Sequence, residues 1–285
     1  MSHYMTRELT EELRRMDNSR FQGDRRNVSI LFSGIRSFST LTENMQPLEV
    51  VSLLNEYFEV MSEAAIKYKG TLDKYIGDSI MMTFGALMPL ENHAWMSVQT
   101  ALEMRHQLEE FNQRMLAQQK PTIQIGIGIN SDEVIAGDFG STRLHKFTII
   151  GDGVNIASYL EEMSKQYCCD IVISNNTYQA GAEQLWTREL DYIHVKGRKQ
   201  PVAIYEVLGL RSEPIPEEKQ KLLEHYNQGR EYYLSRKFRR AMNEFAIIVE
   251  DMKIDDKAST IYLKRCQYCL QNPPSEDWDG VWTLT

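Results

Sequence analysis

Residues 71–85 read TLDKYIGDSIMMTFG, two short runs of strand-forming residues on either side of Ile76-Gly77-Asp78. Glycine and aspartate are typical of tight turns, and apolar and aromatic residues on both sides favour strands. The stretch therefore predicts a β-hairpin with a polar tip. Amphipathic patterns at helical spacing precede it at 47–69 and follow it at about 91–116. The sequence thus predicts a hairpin between two long helices.

Further strands are predicted outside this unit. NVSILFSGI at residues 27–35 suits a buried strand, and TIQIGIGI at 122–129 alternates, with Gly126 and Gly128 on one face, where another backbone can approach closely. The remaining predicted elements are a strand at 147–150, a helix from about Val154, and strands at 171–174, 192–195 and 201–207. This order predicts an α+β fold with a ferredoxin-like core, a mainly antiparallel sheet covered by helices on one face.

The chain divides into three predicted segments. Residues 1–26 are expected to form a leader helix, at about 3–16, and a linker. Residues 27–208 form the main domain, and residues 209–285 form a helical C-terminal extension that begins with a polar linker containing two prolines.

The C-terminal extension contains YNQGREY at 226–232 and AMNEF at 241–245, which resemble one tetratricopeptide-type helical hairpin. A single hairpin of this kind cannot bury both of its faces, so we expect it to dock on the main domain or on a protein partner. The tail, with Trp278 and Trp282, is expected to be held on a surface.

Composition excludes several classes of protein. With 42% hydrophobic residues, 25% charged residues and a net charge of -8, the chain has the composition of a globular protein and lacks the basic excess of a nucleic-acid-binding protein. No apolar run reaches the roughly 18 residues that a transmembrane helix requires, and no signal peptide is apparent. We therefore expect a cytoplasmic protein, with reduced thiols at Cys168, Cys169, Cys266 and Cys269.

Several separated motifs together resemble the catalytic domain of class III nucleotidyl cyclases. They occur in that family's order and span almost all of the main domain, at residues 28–38, 74–84, 126–141, 146–161 and 195–206. The helical tail ending in DWDGVWTL is similar to the segment that follows the catalytic domain in cyanobacterial soluble adenylate cyclases, some of them bicarbonate-responsive.

The resemblance implies a head-to-tail dimer, homodimeric or with another cyclase-like chain, and ATP at the interface. One protomer of the family supplies two aspartates that bind two Mg²⁺ or Mn²⁺ ions. The first position is Gly34 here, in Phe32-Ser33-Gly34-Ile35, and the second is Asp78. The carbonyl of Ile35 could still reach a metal. The backbone N–H groups of the segment Ile35, Arg36, Ser37, Phe38 and Ser39 would cradle the phosphates.

The other protomer of such a dimer binds the base and ribose. The resemblance assigns Lys74 and Thr148 to adenine, because guanine-selecting members usually carry glutamate at the lysine position. It assigns Asn155 to the ribose and Lys196 to the terminal phosphate. The position of the transition-state arginine, one helical turn after the asparagine, is Tyr159.

Each retained residue also has a structural interpretation: Asp78 as a turn residue, Lys74 as a solvated lysine, Thr148 as a strand former and Lys196 as a lysine beside a glycine turn. Neither Ser33, expected on the opposite strand face, nor Asp73 is expected to replace the missing aspartate.

Three functions follow. The first is a degenerate cyclase that dimerises, could bind ATP and acts as a regulator or assembly partner with impaired turnover. The second is an active adenylate cyclase that converts ATP to 3′,5′-cyclic AMP and pyrophosphate. The third is a nucleotide-independent scaffold. A homodimer would lack both the first aspartate and the arginine, and a hybrid site with an intact cyclase would lack one of them.

Overall fold

The computed structural model of the protein describes residues 23–141, 144–194 and 201–282. Within these ranges, eight strands form one sheet: β1 (Asp24–Ile35), β2 (Thr71–Ile76), β3 (Ser79–Phe84), β4 (Ile125–Ser141), β5 (Leu144–Ile150), β6 (Ile171–Ser174), β7 (Leu185–Ile193) and β8 (Val202–Leu210). Their order is β2-β3-β1-β4-β6-β8-β7, with β5 paired to β4. Neighbouring strands are antiparallel except β4 and β6.

The described helices are α1 (Phe38–Thr42), α2 (Pro47–Lys67), α3 (His93–Ala117), α4 (Asp152–Tyr167), α5 (Asn175–Gln179), α6 (Glu217–Leu234), α7 (Phe238–Ala246) and α8 (Lys257–Gln271). A π-helical turn, Ile247–Asp251, continues α7. The predicted leader helix lies outside the described residues. No helix within the described ranges combines the length and apolar character needed to cross a membrane.

The hairpin predicted at residues 71–85 is confirmed. β2 and β3 pair antiparallel, with one extra residue, Asp73, bulging from β2. Gly77 in the turn has a φ of +63°, a left-handed conformation that glycine adopts without steric cost. The turn places Asp78 at the tip of the hairpin, where its side chain is half-buried.

β1 and β4 are longer than predicted. β4 continues to residue 141, so that its second half pairs with the start of β1 and with β5. The polar residues Ser131, Asp132 and Glu133 interrupt the apolar alternation that the prediction used. Ser131 is buried nevertheless, because its hydroxyl shares a hydrogen bond with the Ser29 hydroxyl at 2.6 Å.

Helices α2 and α3 pack on one face of the sheet, as predicted. Leu31 and Ile35 of β1 share a buried core there with Tyr57 of α2 and Met104 of α3. The Tyr57 hydroxyl also lies 3.1 Å from the hydroxyl of Ser33, which confirms that Ser33 faces these helices. With the hairpin between them, α2, α3 and their strands form the ferredoxin-like arrangement.

Helix α4 packs on the opposite face, so the prediction that helices cover only one face is wrong. Gly126 and Gly128 of β4 face this helix. A Cβ atom at Gly128 would lie 2.2 Å from the backbone nitrogen of Glu161 and 2.4 Å from the carbonyl oxygen of Ala157. The glycines therefore admit a helix backbone against the strand, an approach that the sequence indicated without revealing which element makes it.

Substitution of Gly128 by alanine is expected to destabilise the fold by roughly 1–3 kcal/mol, because the new methyl group overlaps helix backbone that cannot rotate away. Urea denaturation measures the change. Gly209→Ala is the matched control, since the nearest atom to a Cβ there is the Arg105 guanidinium at 4.0 Å. Equal stability of the two variants would contradict the close packing of α4 on β4.

The C-terminal helices share a hydrophobic core with α4 and the sheet. Tyr226 of α6, Phe245 of α7 and Tyr262 of α8 pack ring against ring within the buried cluster that also contains Leu160 and Tyr167 of α4. The extension thus docks on the main domain, as one of the two expected alternatives. Its assignment as a tetratricopeptide-type hairpin stays a prediction.

The tail is held on these helices, as expected. Trp278 packs edge-on against Tyr233 at a ring distance of 5.2 Å, and Trp282 against Tyr268 at 5.4 Å. All four cysteines are free thiols, and Cys266 and Cys269 are buried in the helical core.

Buried ion pairs join the extension to the sheet. Arg188 of β7, 4% exposed, donates hydrogen bonds to Glu206 of β8 and to Asp256 at the start of α8. Asp256 in turn caps α8 by accepting from the backbone N–H of Ser259 at 2.8 Å. One guanidinium group thus bridges β7, β8 and the start of α8, and the pairs Arg230–Glu189 and Arg265–Asp191 join the extension to β7 as well.

Candidate functional site

The two residues predicted to recognise adenine lie together. The Lys74 ammonium donates to the Thr148 hydroxyl at 3.2 Å and lies 3.0 Å from Oδ2 of Asp73. The Thr148 hydroxyl donates to the same carboxylate oxygen at 3.2 Å. Because β-bulges re-aim side chains, the extra residue at Asp73 accounts for this orientation of consecutive β2 residues.

Asp73 is therefore a member of this cluster that the sequence did not assign. Its side chain is 5% exposed, whereas that of Lys74 is 33% exposed. The buried carboxylate fixes the position of the ammonium group and the hydroxyl, and the ammonium group remains partly open to solvent. The ammonium group can present a hydrogen-bond donor to a ligand, and the Thr148 oxygen, whose proton is donated to Asp73, can present an acceptor. Asp73 is engaged with Lys74 and Thr148, and that it does not replace the missing aspartate stays a prediction.

The predicted metal half-site lies at the end of β1. Oδ2 of Asp78 accepts a hydrogen bond from the backbone N–H of Ile35 at 3.0 Å, which ties the hairpin tip to this strand end. Gly34 is buried, and a Cβ atom there would lie 3.0 Å from the hydroxyl of Ser79. The structure thus brings the retained aspartate next to the position of the missing one.

Glu161 of α4 also reaches this position, which the sequence analysis missed. Its Oε1 lies 3.2 Å from a Cβ atom built on Gly34 and 3.2 Å from one built on Gly126. Burial raises the pKa of this carboxyl group, and the nearby Lys165 ammonium opposes that increase. The sequence offered one indication, because Glu161 follows Tyr159 by two residues in the helix that carries Asn155. The position of its carboxylate becomes clear only from the packing of α4 on Gly126 and Gly128.

The segment predicted to cradle phosphates changes direction at Ser37, which has a φ of +52°. Helix α1 begins at the next residue, and N–H groups in the first turn of a helix have no acceptor within it. The Arg36 side chain turns away to the end of α4, where its guanidinium donates to the carbonyls of Ser164 and Cys169. The backbone N–H groups of Ile35 and Arg36 are also engaged, by the Asp78 carboxylate and the Gln124 carbonyl. Binding of phosphates by the N–H groups of Ser37, Phe38 and Ser39 stays a prediction.

Asn155 and Tyr159 lie one turn apart on α4. Asn155 is exposed, as a residue that contacts a ligand at an interface would be. Tyr159 is half-buried and packs against the cluster shared with the C-terminal helices. Burial and the charges of Glu162 and Asp191 raise the pKa of its hydroxyl, so the group is neutral at pH 7. Lys196 lies outside the described residues.

The fit to Mg²⁺ or Mn²⁺ is partial. Among the described residues there is no group of three or more histidine, cysteine, aspartate or glutamate side chains placed to hold a metal ion. These hard cations bind oxygen ligands. The Glu161 carboxylate lies next to Gly34, and the Asp78 carboxylate accepts from the N–H group of the next residue, Ile35. The role of the Ile35 carbonyl as a further ligand stays a prediction.

Comparison with known proteins identifies the domain. The family model of the adenylate and guanylate cyclase catalytic domain matches residues 22–209. An adenylate cyclase of Anabaena cylindrica is 35% identical over 189 residues, which are 64% of this chain and 37% of that protein. The terminal-differentiation-specific adenylate cyclase of Dictyostelium discoideum is 31% identical over 245 residues, 85% of this chain and 11% of that protein. The chain thus spans well under half the length of these relatives.

Solved structures show the same relationship. The adenylyl cyclase CyaB from P. aeruginosa is 33% identical with a TM-score of 0.62, and the alignment covers 68% of this chain and 100% of that one. The guanylyl cyclase Cya2 is 34% identical with a TM-score of 0.60, covering 66% and 94%. The match of the family model and the shared α+β core agree, and this chain belongs to the family of adenylate and guanylate cyclase catalytic domains, the class III nucleotidyl cyclases.

Proposed function

We propose that this protein is a degenerate adenylate cyclase that dimerises and binds ATP but has impaired cyclase turnover, and that it acts as a regulator or assembly partner. The observation that carries the proposal is a contrast within one site. The cluster of Lys74, Thr148 and Asp73 is assembled, whereas Gly34 and Tyr159 occupy the positions of a metal-binding aspartate and the transition-state arginine.

The cluster of Lys74, Thr148 and Asp73 supports binding of adenine. An ammonium group and a hydroxyl group held by a buried carboxylate can hydrogen-bond to ring and exocyclic nitrogens of the base. A site with fixed polar groups discriminates strongly, because a wrong base leaves them unpaired. Asn155, exposed on α4, remains available to the ribose.

The residues at positions 34 and 159 support impaired turnover. Cyclisation develops negative charge on the phosphates, and the neutral Tyr159 hydroxyl cannot stabilise it as a guanidinium would. Loss of such a group costs roughly 3–5 kcal/mol, or about 10²- to 10⁴-fold in rate. When bound, divalent cations would neutralise the triphosphate, and Gly34 removes one of the two carboxylates that hold them.

Exposed apolar residues near the recognition cluster support dimerisation. Ile76 is 51% exposed and Ile150 is 53% exposed, each two residues from a member of the Lys74 and Thr148 pair. Burial of such side chains against a partner is favourable by about 25 cal/mol per Å² of apolar surface. A dimer that covers them would also enclose the base-binding groups.

The C-terminal helices supply a surface for a protein partner. Arg236, Lys237, Arg239 and Arg240 line a shallow cavity of about 750 Å³ together with the apolar side chains of Phe238 and Leu270. The net charge of the chain is -8, whereas this surface is positively charged. A positive surface favours an acidic partner.

Calorimetric titration with ATP tests recognition. Lys74→Ala and Thr148→Val are each expected to weaken ATP binding by about tenfold, the effect of losing one hydrogen bond to a charged or oriented group. Lys221→Ala is the control, because Lys221 pairs with Glu217 on the exposed surface of α6. Absence of ATP binding by the unaltered chain would instead favour the nucleotide-independent scaffold.

A further inference from the structure

Asp73 owes its place in the cluster of Lys74 and Thr148 to the bulge in β2. In a regular strand Asp73 and Lys74 would point to opposite faces of the sheet. The register with β3 instead passes from Leu72 to Lys74, so Asp73 is the extra residue. Its side chain is 5% exposed, and its Oδ2 contacts both the Lys74 ammonium and the Thr148 hydroxyl. Because bulges that re-aim a side chain are common beside functional sites, this carboxylate is a candidate for a role in the site.

The Lys74 ammonium has one hydrogen-bond donor left for a ligand. An ammonium group carries three donors and no acceptor. In Lys74 this group lies 3.0 Å from Oδ2 of Asp73 and donates to the Thr148 hydroxyl at 3.2 Å. These two contacts use two of the three donors, and the side chain is still 33% exposed. The third donor is therefore the one that a bound molecule can use.

The Thr148 hydroxyl has one acceptor position left. A hydroxyl group carries one proton and accepts through two lone pairs. Its proton is donated to Oδ2 of Asp73 at 3.2 Å, and one lone pair accepts from the Lys74 ammonium. If the proton pointed to a ligand instead, the hydroxyl oxygen would face the carboxylate oxygen without a proton between them, and a nearly buried carboxylate would lose a hydrogen bond. Asp73 thus fixes the Thr148 oxygen as an acceptor toward the ligand.

We propose that Asp73 is a positioning residue that determines base specificity. By accepting the Thr148 proton, it fixes the cluster as one donor beside one acceptor and selects purines with a 6-amino group. Adenine presents the complement of this pattern, an acceptor at N1 beside the donor of its 6-amino group. Guanine and hypoxanthine present the reverse, an N1–H donor beside an O6 acceptor, so both contacts would be mismatched. This inference rests on the proposed function, since it takes the cluster as the site of the base.

Calorimetric titration with ATP and with inosine triphosphate tests this role, because the two nucleotides differ only at N1 and at the 6-position of the base. The unaltered chain is expected to bind ATP about 100-fold more tightly, about tenfold for each of the two mismatched hydrogen bonds. In Asp73→Asn the side-chain amide can donate to the Thr148 oxygen, which frees the hydroxyl proton for the 6-oxo group. One mismatch is then relieved, and the preference for ATP is expected to fall to about tenfold. Asp73→Ala, which leaves the hydroxyl free to turn, should show the same fall.

Glu217→Gln is the matched control, because it also exchanges a carboxylate for an amide, in a pair with Lys221 on the exposed surface of α6. It should keep the preference of about 100-fold. A residue needed only for folding would weaken the binding of both nucleotides alike, so an unchanged preference in Asp73→Asn and Asp73→Ala overturns the inference. Equal binding of the two nucleotides by the unaltered chain overturns it as well. If the unaltered chain binds no ATP, the proposed function fails together with this inference, whereas the other two outcomes leave the proposed function standing.

Discussion

The double variant Gly34→Asp/Tyr159→Arg is expected to form cyclic AMP at least about 100-fold faster than the unaltered chain. In a homodimer it restores a metal-binding aspartate on one protomer and a transition-state arginine on the other. Each single variant leaves every shared site without one of these groups. The gain of the double variant is therefore expected to exceed the product of the two single gains.

The structure can accommodate both changes. At position 34 the new Cβ atom would meet the Ser79 hydroxyl at 3.0 Å and the Glu161 carboxylate at 3.2 Å, which are side-chain ends that can move by a few tenths of an ångström. At position 159 the tyrosine is only half-buried, so the longer arginine can lay its stem along the apolar cluster and extend its charged end toward solvent.

Cyclic AMP is measured by chromatography after incubation with ATP and Mn²⁺. Gly34→Asp/Tyr159→Met is the control, because it removes the tyrosine without adding a charge, and it should stay near the activity of Gly34→Asp alone. A double arginine variant that folds and binds ATP but forms no more product than this control would contradict the assignment of Tyr159 to the arginine position.

The second large effect concerns stability. Arg188→Met is expected to lower the free energy of unfolding by about 3–5 kcal/mol at pH 7, because it leaves buried carboxylates without their partner. Glu206 and Asp256 are 8% and 7% exposed, so neither can recover solvation easily. Because Asp256 caps α8, the loss is expected to loosen the C-terminal helices from the sheet.

The loss of stability in Arg188→Met should depend on pH. Burial alone would raise the pKa of Asp256, but the Arg188 charge and hydrogen bonds from Arg188 and Ser259 outweigh burial and lower it. In the unaltered chain this stabilisation is therefore full above the ordinary aspartate pKa of about 3.9 and is lost as pH falls through the lowered value. In Arg188→Met the arginine charge is absent, so burial is expected to raise the pKa of Asp256. The difference in the free energy of unfolding between the unaltered chain and Arg188→Met should then narrow as the pH falls below about 5.

Urea denaturation at pH 7 and at acidic pH measures both effects. Arg25→Met is the matched control, since Arg25 pairs with Glu133 at 2.9 Å while the two side chains are 76% and 52% exposed. An exposed pair of this kind contributes less than about 1 kcal/mol. If Arg188→Met were no less stable than Arg25→Met, the ion pairs of Arg188 would not stabilise the attachment of the extension to the sheet.

Local patterns predicted most of the fold. The Gly77 turn and the helical spacing of α2 and α3 are encoded within short stretches, and each was placed within a few residues. The second half of β4 was missed because Ser131 is buried by hydrogen bonds to distant hydroxyls, which no short window reveals. The helix on the second face was missed for a related reason, because Gly126 and Gly128 indicate a close approach but do not identify the approaching element.

Some residues of the candidate site could be placed from sequence motifs, whereas others depend on contacts between elements distant in sequence. Motifs placed Lys74, Thr148 and Asp78 correctly relative to their elements, and the structure brings Lys74 and Thr148 into contact. The functions assigned to them remain proposals. Asp73 was considered only as a metal ligand, because its contact with Thr148 joins residues 75 positions apart. Glu161 was missed because its position depends on how α4 packs across the sheet.

Equilibrium dialysis of the unaltered chain against labelled ATP and Mn²⁺, followed by chromatography of the label, tests the central claim of retained recognition with impaired chemistry. The account predicts that the protein retains label, that Lys74→Ala retains less, and that the retained label is recovered as ATP. Recovery of the label mainly as cyclic AMP, or no retention of label by the unaltered chain, would contradict it.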